Sequence, residues 1–173
     1  MKRVLDREIA CALTLSILFA AASLRGQEKG PAKIKASAIQ VKMIESDEIK
    51  LPAEFQVALY EDLIQRLQTK SGFKQVYREG DRTAANAADL VILRSTVRGF
   101  KEGSERIRQV TTVAGSTSIN VHCEFADRTG RVLLERDING KVRFFGENLR
   151  ATYDFAKKTA QLAHDNFSPT PSS

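Results

Sequence analysis

Histidine is the side chain whose ordinary acidity suits general acid-base work near neutral pH, and this chain has two, His122 and His164. His122 falls in a stretch of strand-like alternation and His164 near the end of a helical one, so both read as surface residues. A zinc site needs three or four ligands held together, whereas His122 and its neighbour Cys123 point to opposite faces of a strand. Ser95, Ser116 and Ser118 lie in no G-x-S-x-G elbow, and no glycine loop with a lysine offers a phosphate cradle. The Gly99-x-x-x-Gly103 spacing is too common to count as one. Glu61 and Asp62 are adjacent on a helix and read as solvated, while glycoside hydrolysis needs two carboxylates facing across a cleft. No catalytic, metal-binding or cofactor-binding residue is assigned. What remains is a basic pattern, Arg94, Arg98, Lys101, Arg106 and Arg108, in which Arg94 and Arg98 share strand parity. It is a candidate surface for an anionic partner. With no tryptophan in the chain and few aromatics near these bases, a stacking platform for single-stranded nucleic acid is not expected.

The formal charge of +6 favours anionic partners of some kind, and the amino terminus says where they would be met. Lys2, Arg3 and Arg7 precede an uncharged, mostly apolar run from Ile9 to Leu24 that ends in Ala20, Ala21, Ala22 and Ser23. That order of charge, apolar run and small residues is a secretory signal. The run is shorter than the roughly 20 residues a bilayer requires, so cleavage near Ala22 or Ser23 is expected rather than an uncleaved anchor. Cys11 lies at the start of the run and not behind a Leu-small-small sequence at its end, which excludes a lipid-attachment signal. The expected organisation is a signal peptide at 1–23, a linker at 24–33, one domain at 34–167 and a disordered tail at 168–173. The mature part then has a single thiol, Cys123, on the apolar face of a strand with Val121 and Phe125. The anionic partners of an exported chain are lipid, lipopolysaccharide and wall polymer.

The elements that would position these residues follow from periodicity. Ile34 to Met43 is a first strand with poorly sorted faces. Phe55, Leu59, Leu63 and Leu67 repeat every four residues between Pro52 and Gly72, which predicts an amphipathic helix backed by Glu54, Glu61, Gln65 and Gln68. Phe73 to Tyr77 and Leu90 to Gly99 are strands, the second central at its start. Residues 99–115 form a long connection of the kind that carries function. Thr117 to Phe125 and Val132 to Phe144 make an antiparallel hairpin on the turn Asp127-Arg128-Thr129-Gly130. Arg136 interrupts the return strand as an edge or bulge would, and Gly140 marks a bend or a close backbone approach. Asn148 caps a last helix whose stripe is Leu149, Tyr153, Ala156, Ala160, Ala163 and Phe167. The fold class expected is α+β of α/β type, in the order β-α-β-β-β-β-α. Its mixed, largely antiparallel sheet of four to five strands carries both helices on one face.

The segments AADLVILRSTVRGF (87–100) and SINVHCEFADRTGRVLLERDINGKV (118–142), with the connection between them, resemble an uncharacterised family of exported bacterial domains. In that family an ADLV strand, a variable loop, a hairpin turning on D-x-x-G and a closing helix recur. The resemblance implies a fold related to the amino-terminal domain of TolB, to CsgG and to LpoB, which are envelope components that act by binding proteins. It supplies no catalytic residues. The expected function is that of a non-enzymatic, periplasmic or secreted protein that is not a lipoprotein and binds an envelope protein or an anionic envelope polymer. The alternative is a small secreted hydrolase with an acid pair or serine site.

Overall fold

The computed structural model describes residues 32–46, 48–103, 116–142 and 149–169. The leader with Cys11, most of the 99–115 connection with Arg106 and Arg108, and Phe144 and Asn148 lie outside them. The described elements are β1 (Ile34–Lys35), β2 (Ala38–Val41), α1 (Ala53–Lys70), β3 (Gln75–Arg78), a 3₁₀ turn (Arg82–Asn86), β4 (Leu90–Lys101), β5 (Thr117–Ala126), β6 (Val132–Val142), α2 (Arg150–Asn166) and β7 (Phe167–Ser168). Five strands form one open sheet in the order β3-β2-β4-β5-β6. β2 runs parallel to β3 and β4, and the longer β4–β5 and β5–β6 ladders are antiparallel. This is the mixed, largely antiparallel α+β sheet expected from the sequence.

The expected first strand is instead two. β1 pairs with β7 in a separate two-stranded sheet, which draws Ser168 out of the expected tail, and β2 enters the main sheet between β3 and β4. Ala38, Ile39 and Val41 are all buried. Ile39 and Val41 meet the main core and Ala38 meets a small cluster with Ala84 and Leu90 on the opposite face. A strand covered on both faces has no reason to alternate, which explains its unsorted pattern.

On the main-core face, α1 buries Phe55, Leu59, Leu63 and Leu67, as its spacing predicts, and adds Tyr60 and Ile64. Gly72 ends the helix at φ +84, a left-handed backbone that glycine adopts without strain. α2 buries Ala151, Thr152, Phe155, Ala156, Thr159, Ala160 and Ala163. The expected stripe is therefore displaced: Tyr153 is 45% exposed and Phe155 takes its place in the core. Backbone clearance sets this orientation. A Cβ at Gly140 of β6 would stand 2.3 Å from the Ala151 carbonyl oxygen and 2.9 Å from the Phe155 Cβ, so α2 seats with that turn directly on the strand.

Two bulges shift parity within the antiparallel ladders. Val97 pairs with Val121 but Gly99 pairs with Asn120, leaving Arg98 as the extra residue; Phe125 pairs with Leu134 but Ala126 pairs with Val132, leaving Leu133. The second bulge takes Val132 off the face shared by Leu134 and Ile138, so Val132 is 44% exposed while Ile138 is buried. Arg136 is exposed on β6, which is an edge strand.

Replacing Gly140 by alanine should destabilise the fold by about 3 kcal/mol, the upper part of the usual overpacking cost. Comparing urea unfolding midpoints of wild type and Gly140→Ala checks it, and equal midpoints would contradict this seating of α2.

Candidate functional site

The sheet face turned away from the helices carries the residues singled out in the sequence. Arg94 lies opposite Glu124, and its guanidinium donates to the Glu124 carboxylate at 2.8 Å. The next row is Thr96, His122 and Asp137, with His122 Nδ1 2.9 Å from Asp137 Oδ1. After the bulge at Arg98, Phe100 turns inward to pack against Phe55, with ring centroids 4.8 Å apart and planes tilted by 57°, and Lys101 lies opposite Ser118 on the Arg94 side. Regular alternation from Arg94 would have put Lys101 on the other face. Arg94, Arg98 and Lys101 are thus exposed along one strand, but Arg94 is already matched by a carboxylate. His122 and Cys123 do face opposite sides, since Cys123 is buried against Ser95 at 3.7 Å. Burial pushes the Cys123 thiol up to about 12, so it stays protonated and un-nucleophilic at neutral pH.

At one end of this face, Gln40, Leu90, Ile92, Asp81, Arg82, Ala84, Ala85 and Arg128 enclose a pocket of about 250 Å³. Arg128 comes from the β5–β6 turn, where sequence reasoning saw only a turn residue. Its guanidinium donates to the carbonyl oxygens of Ala85 at 2.8 Å, Ala84 at 3.0 Å and Ala87, clamping the 3₁₀ turn. The turn begins on Asp81, whose carboxylate accepts from the Thr83 hydroxyl and backbone N–H and is held below its usual acidity range by them. Asp127 plays the same part in the hairpin. It is held low chiefly by the Thr129 hydroxyl and also accepts from the Thr129 and Arg131 backbones. Glu79 is held low by the Met43 N–H and Lys42, and Glu61 by a bidentate pair with Arg78 at 2.5 and 2.6 Å. Each of these acidity shifts has a structural partner as its cause.

A second concavity, of about 290 Å³, lies between the helices and is lined by Arg66 and Lys70 of α1 and Tyr153, Lys157, Gln161 and His164 of α2. The Arg66 guanidinium lies over the Tyr153 ring, 3.9 Å from its centroid. Sequence reasoning did not find this groove, because it placed Tyr153 in the core and treated the outer face of α1 as solvated. A paired Arg66/Lys70 and Tyr153/Lys157/Gln161 at four-residue spacing were the available signals. Among the described residues no cluster of His, Cys, Asp and Glu could hold a metal ion, and no helix is long and apolar enough to cross a membrane.

The chain with this architecture is similar in fold to PelC of Paraburkholderia phytofirmans. Two crystal forms of the PelC dodecamer, one of them of a single-residue variant, superpose with a TM-score of 0.56 at 15% identity. The match spans 79% of this chain and 92–93% of PelC. A Xanthomonas campestris protein described by the DUF330 family model superposes at 0.47 with 12% identity, over 78% of this chain and 84% of that one. No family model and no curated protein matches the sequence. The likeness to PelC is one of fold, and the side chains described above are read from this chain alone.

Two outcomes follow from these geometries. In native protein at pH 8 the Cys123 peptide should remain unlabelled by iodoacetamide and become labelled once guanidinium unfolds the chain; labelling of the native state, followed by mass spectrometry, would contradict its burial. Arg128→Ala should free the 3₁₀ turn at a cost of about 1 kcal/mol and speed proteolysis within residues 82–87, whereas unchanged cleavage would show that the turn holds itself.

Proposed function

We propose that this chain is an exported, non-enzymatic binding module of the bacterial cell envelope. Residues 1–23 carry it out of the cytoplasm, and residues 34–167 work as one domain in the periplasm or secreted medium, without a lipid anchor. The observation that carries this reading is the helix-free face of β4, β5 and β6, an exposed surface of matched charges. Arg94 is paired with Glu124 and His122 lies beside Asp137, with Arg98 and Lys101 at its end. Such a surface selects a partner by charge and hydrogen-bond complementarity. A hydrolase would need titratable groups converging in a deep pocket. The acids with shifted titration described above are instead each engaged by a structural hydrogen bond or ion pair.

Two resemblances support protein binding in particular. PelC, the fold neighbour, forms a dodecamer, which favours an assembly that includes further copies of this chain. The ADLV and D-x-x-G segments resemble those of exported domains related to TolB, CsgG and LpoB, which act by binding proteins. The basic residues Arg94, Arg98, Lys101, Arg106 and Arg108 would then be the ones to meet an anionic partner.

Cell fractionation tests the reading directly. The full chain, expressed in a Gram-negative host, should be released by osmotic shock without detergent. Mass spectrometry should find a new amino terminus near residue 24, and light scattering should give a mass several times that of one chain. An intact leader in the membrane pellet would overturn export as a free protein, and a monomer would restrict binding to other partners.

A further inference from the structure

Positive charge gathers in the groove between the helices. Arg66, Lys70 and Lys157 line it with His164, Tyr153 and Gln161, and no carboxylate is among the lining residues. None of the three permanent cations takes part in an ion pair among the described residues. Arg66 is met by the Tyr153 ring at 3.9 Å, and its Nε is buried with no hydrogen-bond partner. The acids within four residues of the lining groups have other partners: Asp62 of α1 accepts from the Thr152 hydroxyl at 2.5 Å, Asp154 pairs with Lys158 at 2.7 Å, and Asp165 is engaged by the Gln161 amide at 2.8 Å and by His164 Nδ1 at 3.3 Å. Gathering like charges in one concavity is unfavourable in the free protein, and an anion seated there relieves the repulsion.

The shape of the groove narrows the anion to a class. Tyr153 and His164 are eleven residues apart on one helix, a span of roughly 16 Å at 1.5 Å per residue. That exceeds one small anion and suits a chain bearing anions at intervals. Tyr153, 45% exposed, adds an apolar face next to the cations. Helices that lie on membranes carry several large apolar residues beside their bases, and here one tyrosine stands alone among polar groups.

We propose that the α1–α2 groove is a binding site for an anionic polysaccharide. Arg66, Lys70 and Lys157 hold successive carboxylate or sulfate groups, and Tyr153 packs on the non-polar face of a sugar ring. The site rests on the envelope-binding reading given above, and adds a ligand and a location on the opposite side of the molecule from the sheet face.

The test uses the protein released from the envelope, with polygalacturonate as carboxylated glycan, dextran sulfate as sulfated glycan, neutral dextran as control, and phosphatidylglycerol/phosphatidylcholine vesicles as the anionic membrane. Titration calorimetry should show binding of at least one charged glycan and none of dextran. The triple variant Arg66→Gln/Lys70→Gln/Lys157→Gln should bind about tenfold more weakly, as expected from losing three partly exposed charge contacts. A charge-matched variant at exposed bases outside both surfaces, Lys50→Gln/Arg131→Gln/Arg136→Gln, should bind within about twofold of wild type. Tyr153→Ala should weaken binding more than Tyr153→Phe. Circular dichroism monitors folding of each variant, and Lys157→Gln, an exposed single change, replaces the triple if that fails to fold. Equal weakening by the two triples, binding of neither charged glycan, or binding of vesicles alone would each overturn the proposal. Export and mass are measured separately, so a failed titration leaves the envelope reading standing and removes this site.

Discussion

Everything on the helix side of this fold depends on how closely α2 approaches β6. At Gly140 there is no room for even a methyl group, and the Ala151 carbonyl occupies that space. From that contact outward, Ala156, Ala160 and Ala163 bring α2 close to the sheet while Phe155 fills the core beneath it. The same seating lets α2 reach the outer edge of the sheet. Lys158 donates to the Asn139 carbonyl at 2.7 Å, and Asp154 accepts from the Lys141 N–H at 3.0 Å. Edge backbone groups that would otherwise invite another strand are thereby engaged. It also brings Thr152 within 2.5 Å of Asp62 and Tyr153 under Arg66, so the groove between the helices is a by-product of the approach at Gly140.

Features that depend on neighbours in sequence were legible from the sequence. The four-residue repeat of α1, the stop at Gly72, the hairpin turn at Asp127 to Gly130 and the close approach at Gly140 are each written within a few residues of where they act. Features that depend on distant partners were not. The two-sided burial of β2 comes from the 3₁₀ turn on one face and the helices on the other, so its residues do not alternate. Arg128 reaches carbonyls more than forty residues earlier in the chain, and nothing around it distinguishes a clamp from a turn residue. Tyr153 was misassigned because a helical stripe can be drawn through it or through Phe155, and only the clearance at Gly140 decides between them. Of the five basic residues chosen from sequence, Arg94, Arg98 and Lys101 do share a strand, but the partner of Arg94 lies on a neighbouring strand thirty residues away.

Charge therefore divides differently in space than along the chain. On the sheet face Arg94 pairs across strands with Glu124 and His122 lies beside Asp137, with Arg98 and Lys101 at the end, which gives a surface suited to a partner with its own mixed pattern. Along the helix groove Arg66, Lys70 and Lys157 form no ion pair among the described residues. Net charge alone points to anionic partners in general; its distribution separates a face suited to another protein from a groove suited to a polyanion.

The bulge at Arg98 has an evolutionary corollary. With Val97 opposite Val121 and Gly99 opposite Asn120, a strand lacking Arg98 would pair regularly and still turn Phe100 toward Phe55. Arg98 taken into the regular ladder would instead drive Lys101 toward the core and expel Phe100. A relative of this chain that lost one residue between Val97 and Gly99 would therefore keep this corner of the core and lose only the bulge.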